Sequence, residues 1–438
     1  MIGALRLGSG GEPAVELLAV RRQRTDSVPR VVLLSVQAAV ILLPMIRPTG
    51  PGNSSPVDLA IAAAIAAFLL WAGWSGVKLR APYWGAWSLL IAGAAIGALA
   101  GGRPVPALLD IAQDLVLMLW VLALVNICRY PDVFRVVVRT WAVAAPVWAA
   151  VLVVAYFGHI DAVSGVTARL GVRAGMLFAD PNMAANYWSM SAMVVAATKY
   201  PARRSLRVLA YIALALSIVF SGSNGGAFYL ALATFIVIIG WGYRRFGMQG
   251  AIGLACVGIL MGGAALNLVQ PQKIQAWAVA SNVPLLRDSF GRADQSLGQR
   301  TQLVNETLAL LDQGGIWGLG PNTTIDNLRG RQQANFVHEA HDDYIEALVE
   351  RGLIGFAGIF LLVGSVVVRA RSVSARPLAP GYSEALPNRV PLIAALLGFA
   401  ASATFYQVLH FRHGWALLGL LAALHLWGYR PAGEAARR

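Results

Sequence analysis

The sequence predicts an all-α polytopic membrane protein with about twelve transmembrane helices and one long external loop between the ninth and tenth. Three observations carry that expectation. Of 438 residues, 57% are hydrophobic and 13% charged, and mean hydropathy is +0.62, whereas soluble domains carry about a quarter charged residues. Apolar runs long enough to cross a roughly 30 Å hydrocarbon layer recur along the chain. Basic residues collect on alternate connections between those runs. The composition argues against a soluble enzyme and against a disordered or collagen-like chain. Period-2 alternation is absent, which disfavours a transmembrane barrel.

Residues 1–30 are polar and arginine-rich (Arg6, Arg21, Arg22, Arg24, Arg30). They hold no apolar core followed by a small-residue cleavage site, so they read as a cytoplasmic N-terminal tail and not a signal peptide. The expected helices lie near 31–46, 57–76, 83–101, 107–127, 137–158, 181–198, 207–222, 225–242 and 249–268. These nine form a transmembrane block over 31–268. The external loop spans 269–349. Helices near 350–368, 390–408 and 414–429 complete a second block over 350–429, and 430–438 is a cytoplasmic C-terminal tail.

The charge distribution tests this topology. The 35 basic residues exceed the 21 acidic ones, for a net charge of +14 and a pI near 10.4. In a soluble protein that excess would point to nucleic acid. With the N-terminus inside, however, 23 of the 35 basic residues fall on cytoplasmic segments. The short external connections hold only Arg47, Arg103, Arg169, Arg173 and Arg412. The excess is therefore a signature of topology, and no nucleic-acid partner is expected. Cys128 and Cys256 both sit in apolar runs, which argues against a disulfide scaffold or a cysteine metal site.

The 269–349 segment is far longer than an ordinary connection. Its stretch 269–343 carries six basic and eight acidic residues, so it is not a polybasic lipid-binding run. Leu303, Val304, Leu308 and Leu311 recur at helical spacing between Gln299–Arg300 and Asp312–Gln313. That spacing predicts an amphipathic helix on the membrane surface or against the bundle, opened by Arg300.

Several residues there have chemistry to offer. His338-Glu339-Ala340-His341-Asp342-Asp343-Tyr344 stands at the entrance of the tenth helix. Two histidines three residues apart beside carboxylates admit a metal pair, a general base near neutral pH, or a solvated helix start whose aspartates face the N-terminal dipole. Before the sixth helix, Arg169 and Arg173 break the external charge bias, glycines flank Arg173, and Asp180-Pro181-Asn182 reads as a helix start. An arginine there suits a phosphate through its bidentate fork, or snorkels to lipid headgroups. Trp317-Gly318-Leu319-Gly320-Pro321 is a tight turn with weak anion-binding character, and Ser221-Gly222-Ser223-Asn224-Gly225-Gly226 joins two helices with small polar residues. Asp110 and Asp114 share one face of the fourth helix, where a functional and a structural role stand side by side.

In this order the pieces resemble the O-antigen ligase and O-antigen polymerase superfamily of bacterial membrane glycosyltransferases. The resemblance covers about 165–356 and rests on Arg173, Gly175 and Phe178-x-Asp180-Pro181-Asn182, then the small turn, Arg300, Gly318-x-Gly320, His341-x-x-Tyr344 and Glu350-x-Gly352. Two positions depart: many members have Ser-Arg where this chain has Ser223-Asn224, and His-Asn where it has His341-Asp342. His338 is additional to the pattern.

The resemblance implies a GT-C-like fold in the bacterial inner membrane, with both termini cytoplasmic and the active site on the external face. It implies a polyprenyl (undecaprenyl) diphosphate-linked glycan donor, a lipid or glycan acceptor, and an inverting transfer without metal, nucleotide sugar or other cofactor. Carried over by position, His341 is the catalytic base, and Arg173 and Arg300 hold the diphosphate. Arg169, Asn182, Tyr344, His338 and Asp342 are expected as secondary substrate-binding residues. Ligase and polymerase share these motifs, and the single long loop favours the ligase. A transporter or flippase of lipid-linked saccharide is the alternative from another class. It calls for polar residues near the midplane and for repeats, whereas here polar residues cluster on one face and no repeat is evident.

Overall fold

The computed structural model describes residues 28–47, 54–102, 104–167, 171–178, 180–268, 271–289, 293–329, 342–404 and 406–429, with the side chains at 106, 265–268, 271, 293–300, 325 and 329 left aside. Among these residues the regular secondary structure is helical, beside two isolated bridges, Thr167 with Gly171 and Leu378 with Tyr429. Besides single helical turns at Asp161–Ser164, Met176–Phe178 and Leu311–Gly314, the helices in chain order are α1 (Arg30–Ile41), α2 (Pro56–Ser75), α3 (Trp84–Ala100), α4 (Pro104–Ile127), α5 (Pro131–Phe157), α6 (Pro181–Thr198), α7 (Arg204–Ser221) and α8 (Asn224–Leu268). The long connection forms α9 (Pro271–Ala280), α10 (Pro284–Ser289), α11 (Ala293–Leu308) and α12 (Thr324–Arg329). The remainder is α13 (Asp343–Ala375), α14 (Pro380–Ala385), α15 (Val390–Ser402) and α16 (Arg412–Trp427).

Local chemistry sets the boundaries. Before α2, Ser55 and Asp58 form a reciprocal capping box with Pro56 in the first turn. Asp180 caps α6, accepting from the N–H groups of Asn182 and Met183, with Pro181 in first position. Glycine in the left-handed region ends α2 at Gly76 and α7 at Gly222. The runs expected at 225–242 and 249–268 meet without a loop, as one element broken at Gly247 (φ 69°, ψ −159°). The run expected at 350 begins a full turn and more earlier, at Asp343, and breaks at Gly352.

Among the described residues, six helices are long and apolar enough to cross a membrane by length and composition: Pro56–Ser75, Ala107–Ile127, Pro131–Phe157, Arg204–Ser221, Asn224–Ala264 and Asp343–Ala375. The other predicted runs are also helical but shorter or more polar, as in α1, α3 and α15. Many side chains on these helices are apolar and exposed, among them Leu70, Leu99, Val154, Leu260 and Val368. Such a belt would be a liability in water and suits a lipid surround.

The packing brings particular backbones together. Helices α6 and α16 are buried on nearly every side, α6 among α5, α7, α8 and α15. The most extensive pairing joins α3 to α13. A Cβ added at Gly93 would lie 2.5 Å from Gly355 N and 2.6 Å from Arg351 O, so the two backbones touch there. Lipid tails are as apolar as leucine, so close packing of small residues supplies the association that the hydrophobic effect supplies in water.

The loop helices make a small second core of Leu303, Leu310, Leu328 and Val349, against the start of α13. Two expectations are corrected here. Helix α11 starts at Ala293, so Arg300 lies inside it and does not open it. The buried face is Leu303, Thr307 and Leu310, and Leu308 is exposed, because packing against α13 selects the stripe.

Candidate active site

Gly352 lets α13 break just below its first two turns, and the Trp317–Gly320 turn closes against the break. Leu319 N–H donates to Val349 O and Gly320 N–H to Glu350 O (both 2.9 Å), and Leu353 N–H donates to Ile316 O (3.0 Å). The Gly-Leu-Gly turn therefore uses N–H groups to hold α13. Gly318 and Gly320, at φ 84° and 94°, allow an approach that a side chain would obstruct. Buried Glu350 accepts from the N–H groups of Asn322 (2.9 Å), Thr323 (3.1 Å) and Thr324 (3.0 Å), fixing the start of α12.

Next to it, Arg351 points into α4. One terminal nitrogen donates to Asp110 (3.0 Å) and the other to Asp114, with all three side chains at most 12% exposed. Buried charges of this kind persist where they are paired.

The first turns of α13 are tied to the 406–412 segment. Asp342 caps the helix through the N–H groups of Tyr344 (2.9 Å) and Ile345 (3.0 Å). Burial raises the Asp342 carboxyl above the usual carboxylate range, opposed by those two donors. Asp343 accepts from Val408 N–H (2.7 Å) and Leu409 N–H (3.1 Å), and Gln407 donates to Glu346 (2.6 Å). Arg412 donates to Asp58 (2.8 and 3.1 Å) and to His410 O (2.8 Å).

These elements enclose a cavity of about 380 Å3 at one end of the bundle. Asp110 and Gln113 line it from α4, and Asn182 from α6. Glu346, Glu350 and Arg351 line it from α13, Tyr406 and His410 from the segment before α16, and Arg412 from the first position of α16. His410 lies within electrostatic reach of Asp110. A smaller, mostly apolar cavity of about 220 Å3 adjoins it through Leu109, Gln113, His410 and Arg412.

Arg173 reaches the same region from the segment before α6. Its Nε donates to Ser221 O (2.9 Å) and a terminal nitrogen to Asn182 Oδ1 (3.0 Å). A Cβ at Gly222 would lie 3.3 Å from the Arg173 side chain, so the small turn after α7 makes room for this arginine. Ser223 accepts from Gly226 N–H (3.1 Å) at the start of α8.

Of the predicted residues, the structure brings together Arg173 and Asn182 and places Asp342 at the mouth of α13. Tyr344 donates from its hydroxyl to Ala400 O (2.9 Å), anchoring α13 to α15, and does not line the cavity. Arg169, His338 and His341 lie outside the described residues, and Arg300 is described by its backbone only. Arg351, His410 and the role of Arg412 were missed in the sequence. The available signal was the pair Asp110 and Asp114, since intramembrane carboxylates require a cation, but nothing local identified which one.

No curated protein matches this chain. Residues 209–360, about a third of the chain, match the family model described as O-antigen ligase. The matched segment runs from α7 through the turn that receives Arg173 and the loop helices to the broken start of α13. It bears out the resemblance to this family: over 209–360 the chain is similar to O-antigen ligases, and its long apolar helices suit an integral membrane protein.

Proposed function

We propose that the protein is an O-antigen ligase-like glycosyltransferase, moving a glycan from a polyprenyl diphosphate carrier to an acceptor hydroxyl on the outer face of the cytoplasmic membrane. The observation that carries this reading is the polar cavity. Its lining residues come from the ends of helices that the charge distribution assigns to the outside. There Asn182, which accepts from Arg173, lines the same cavity as the first turns of α13, which closely follow His341 in sequence. The expected layout of cytoplasmic tails, an external 269–349 loop and flanking transmembrane blocks belongs to the same proposal.

In this mechanism the acceptor oxygen attacks the anomeric carbon from the face opposite the diphosphate. The new C–O bond forms as the anomeric carbon–phosphate oxygen bond breaks, inverting the configuration. His341 takes the acceptor proton as general base. The departing polyprenyl diphosphate gains negative charge, which Arg173 and Arg300 stabilise. Ser221 O and Asn182 hold the Arg173 fork in advance, so little reorganisation accompanies charge development.

The test is reconstitution in nanodiscs with a polyprenyl diphosphate-linked glycan and a lipid-linked sugar acceptor. Wild-type protein is expected to shift the acceptor, and His341→Ala and Arg173→Ala to abolish or strongly reduce the shift. Transfer by His341→Ala at the wild-type rate overturns the assignment. A product ladder on the carrier itself would make the enzyme a polymerase.

A further inference from the structure

Helices α6, α13 and α16 each start at the cavity and end away from it, at Thr198, Ala375 and Trp427. At that far end, which the charge distribution assigns to the cytoplasm, arginines from three separate elements converge. Arg389, just before α15, donates to the backbone carbonyl of Arg376, just after α13. Arg244 on α8 donates to Asn388 Oδ1 (3.2 Å), and Asn388 N–H donates to Ala197 O near the end of α6 (3.1 Å). The Arg376 guanidinium stands 5.3 Å from the centre of the Tyr429 ring, whose hydroxyl lies 3.1 Å from Ser372 Oγ. A Cβ added at Gly240 would lie 2.7 Å from the Val390 side chain, so α8 and the start of α15 touch one turn from Arg244.

This cluster lacks a counter-charge. Among the described residues no ion pair reaches Arg244, Arg376 or Arg389, and the two carboxylates at this end, Asp132 and Glu384, are taken by Arg135. Partial burial lowers the Arg389 pKa, opposed by Tyr429 and reinforced by Arg244. Arg244 and Arg376 are exposed. Beside Arg244 on α8, Trp241, Tyr243 and Phe246 are each more than half exposed, and Trp241 meets Phe246 edge to face (5.8 Å). Exposed aromatic residues flanking arginine belong at a membrane interface.

We infer that Arg244, Arg376 and Arg389 form a binding site for an anionic phospholipid, gripping its headgroup phosphate at the end of the protein opposite the cavity. Guanidinium groups match phosphate oxygens through their planar forks. Arg244 and Arg389 are already held by neutral acceptors, which orient them without cancelling their charge. A free phosphate would meet the same forks, but the exposed Trp241, Tyr243 and Phe246 give acyl chains a surface that a free anion does not use. The site is remote from the cavity and does not rest on the glycosyl-transfer reading.

The test is titration of the full-length protein in detergent micelles with phosphatidylglycerol, with phosphatidylcholine of the same acyl chains, and with inorganic phosphate. Native mass spectrometry counts the lipid retained. Phosphatidylglycerol is expected to bind saturably and about tenfold or more tighter than phosphatidylcholine. Arg376→Gln with Arg389→Gln should weaken phosphatidylglycerol by about 10- to 30-fold, the effect of two arginines at an anionic headgroup. Arg203→Gln with Arg204→Gln removes two exposed arginines at the same end and should leave the affinity unchanged. If the first pair does not fold, Arg244→Gln alone should give a smaller loss in the same direction. Equal binding of the two lipids overturns the inference, as does an equal loss from both arginine pairs. Displacement of phosphatidylglycerol by inorganic phosphate at the lipid's own concentration would overturn it too, by making this a free-anion site.

Discussion

Arg351 on α13 bridges Asp110 and Asp114, one turn apart on α4, in a nearly buried cluster at the floor of the cavity. This cluster sits where α3 and α13 touch backbone to backbone, so the ion pairs and the close helix packing hold the same point of the bundle.

Removing the cation should therefore be severe. Arg351→Ala leaves two carboxylates without their partner, and a loss of about 3–5 kcal/mol is expected. Chemical unfolding in mixed micelles would measure it. Adding Asp110→Asn and Asp114→Asn to the same chain should restore part of the loss, since the unpaired charges are then gone. No recovery would argue against the cluster as the cause.

Gly352 is expected to tolerate no side chain. At φ 61° and ψ −166° it holds a conformation open to glycine, and a Cβ would lie 2.5 Å from the Trp317 carbonyl carbon. Gly352→Ala should cost about 1–3 kcal/mol in backbone strain alone. Proteolysis should then become faster at the Trp317–Gly320 turn, which depends on the break for its hydrogen bonds. Limited digestion of the variant beside wild type would decide.

Arg173→Lys should behave much like Arg173→Ala in transfer. A single ammonium cannot reproduce bonds to Ser221 O and Asn182 while offering a fork to diphosphate. Loss of one charge-assisted contact corresponds to about 10- to 100-fold in kcat/KM for the polyprenyl diphosphate donor. Retained efficiency in the lysine variant would remove Arg173 from the diphosphate site.

The Asp342 carboxyl carries a pH dependence whose sign follows from its raised pKa. A carboxyl raised in the folded state favours the protonated form there, so its contribution weakens stability as pH rises from the unfolded value toward the folded one. It improves stability as pH falls back through that window. Asp342→Asn keeps the helix cap, since asparagine caps as well as aspartate, and removes this titration. The variant is expected to be at least as stable as wild type at pH 7 and flatter with pH above about 4, whereas Asp342→Ala should lose about 1 kcal/mol of capping. Melting temperatures across pH would distinguish the three.

Much of the fold was legible because a bilayer makes its demands locally. Apolar length marks a helix, and Asp180-Pro181 marks a start whatever lies around it. The helical sequence positions thus emerged without any tertiary information, and so did the family resemblance that a family model supports over 209–360. The exceptions are instructive. The Gly318–Gly320 turn read as a weak anion site, yet its N–H groups hold α13, because the breaking of that helix at Gly352 frees carbonyls that must be paired. Leu308 fitted the expected apolar stripe of the loop helix, but burial against α13 chose Leu303, Thr307 and Leu310.

By itself, then, the sequence determined an all-helical, apolar chain with its basic residues gathered on alternate connections and an arginine, Arg173, of evident interest. Tertiary structure alone decided that Arg351 is the cation for Asp110 and Asp114, 241 and 237 residues away. It also decided that Arg412 is neutralised by Asp58, 354 residues distant, and that Asp343 organises the 406–412 segment. The physical reason is range. Helix periodicity, capping and transfer into lipid act within a turn or across one segment, whereas compensation of buried charge depends on whichever helices pack together. That packing is what turns scattered charged residues into a polar cavity.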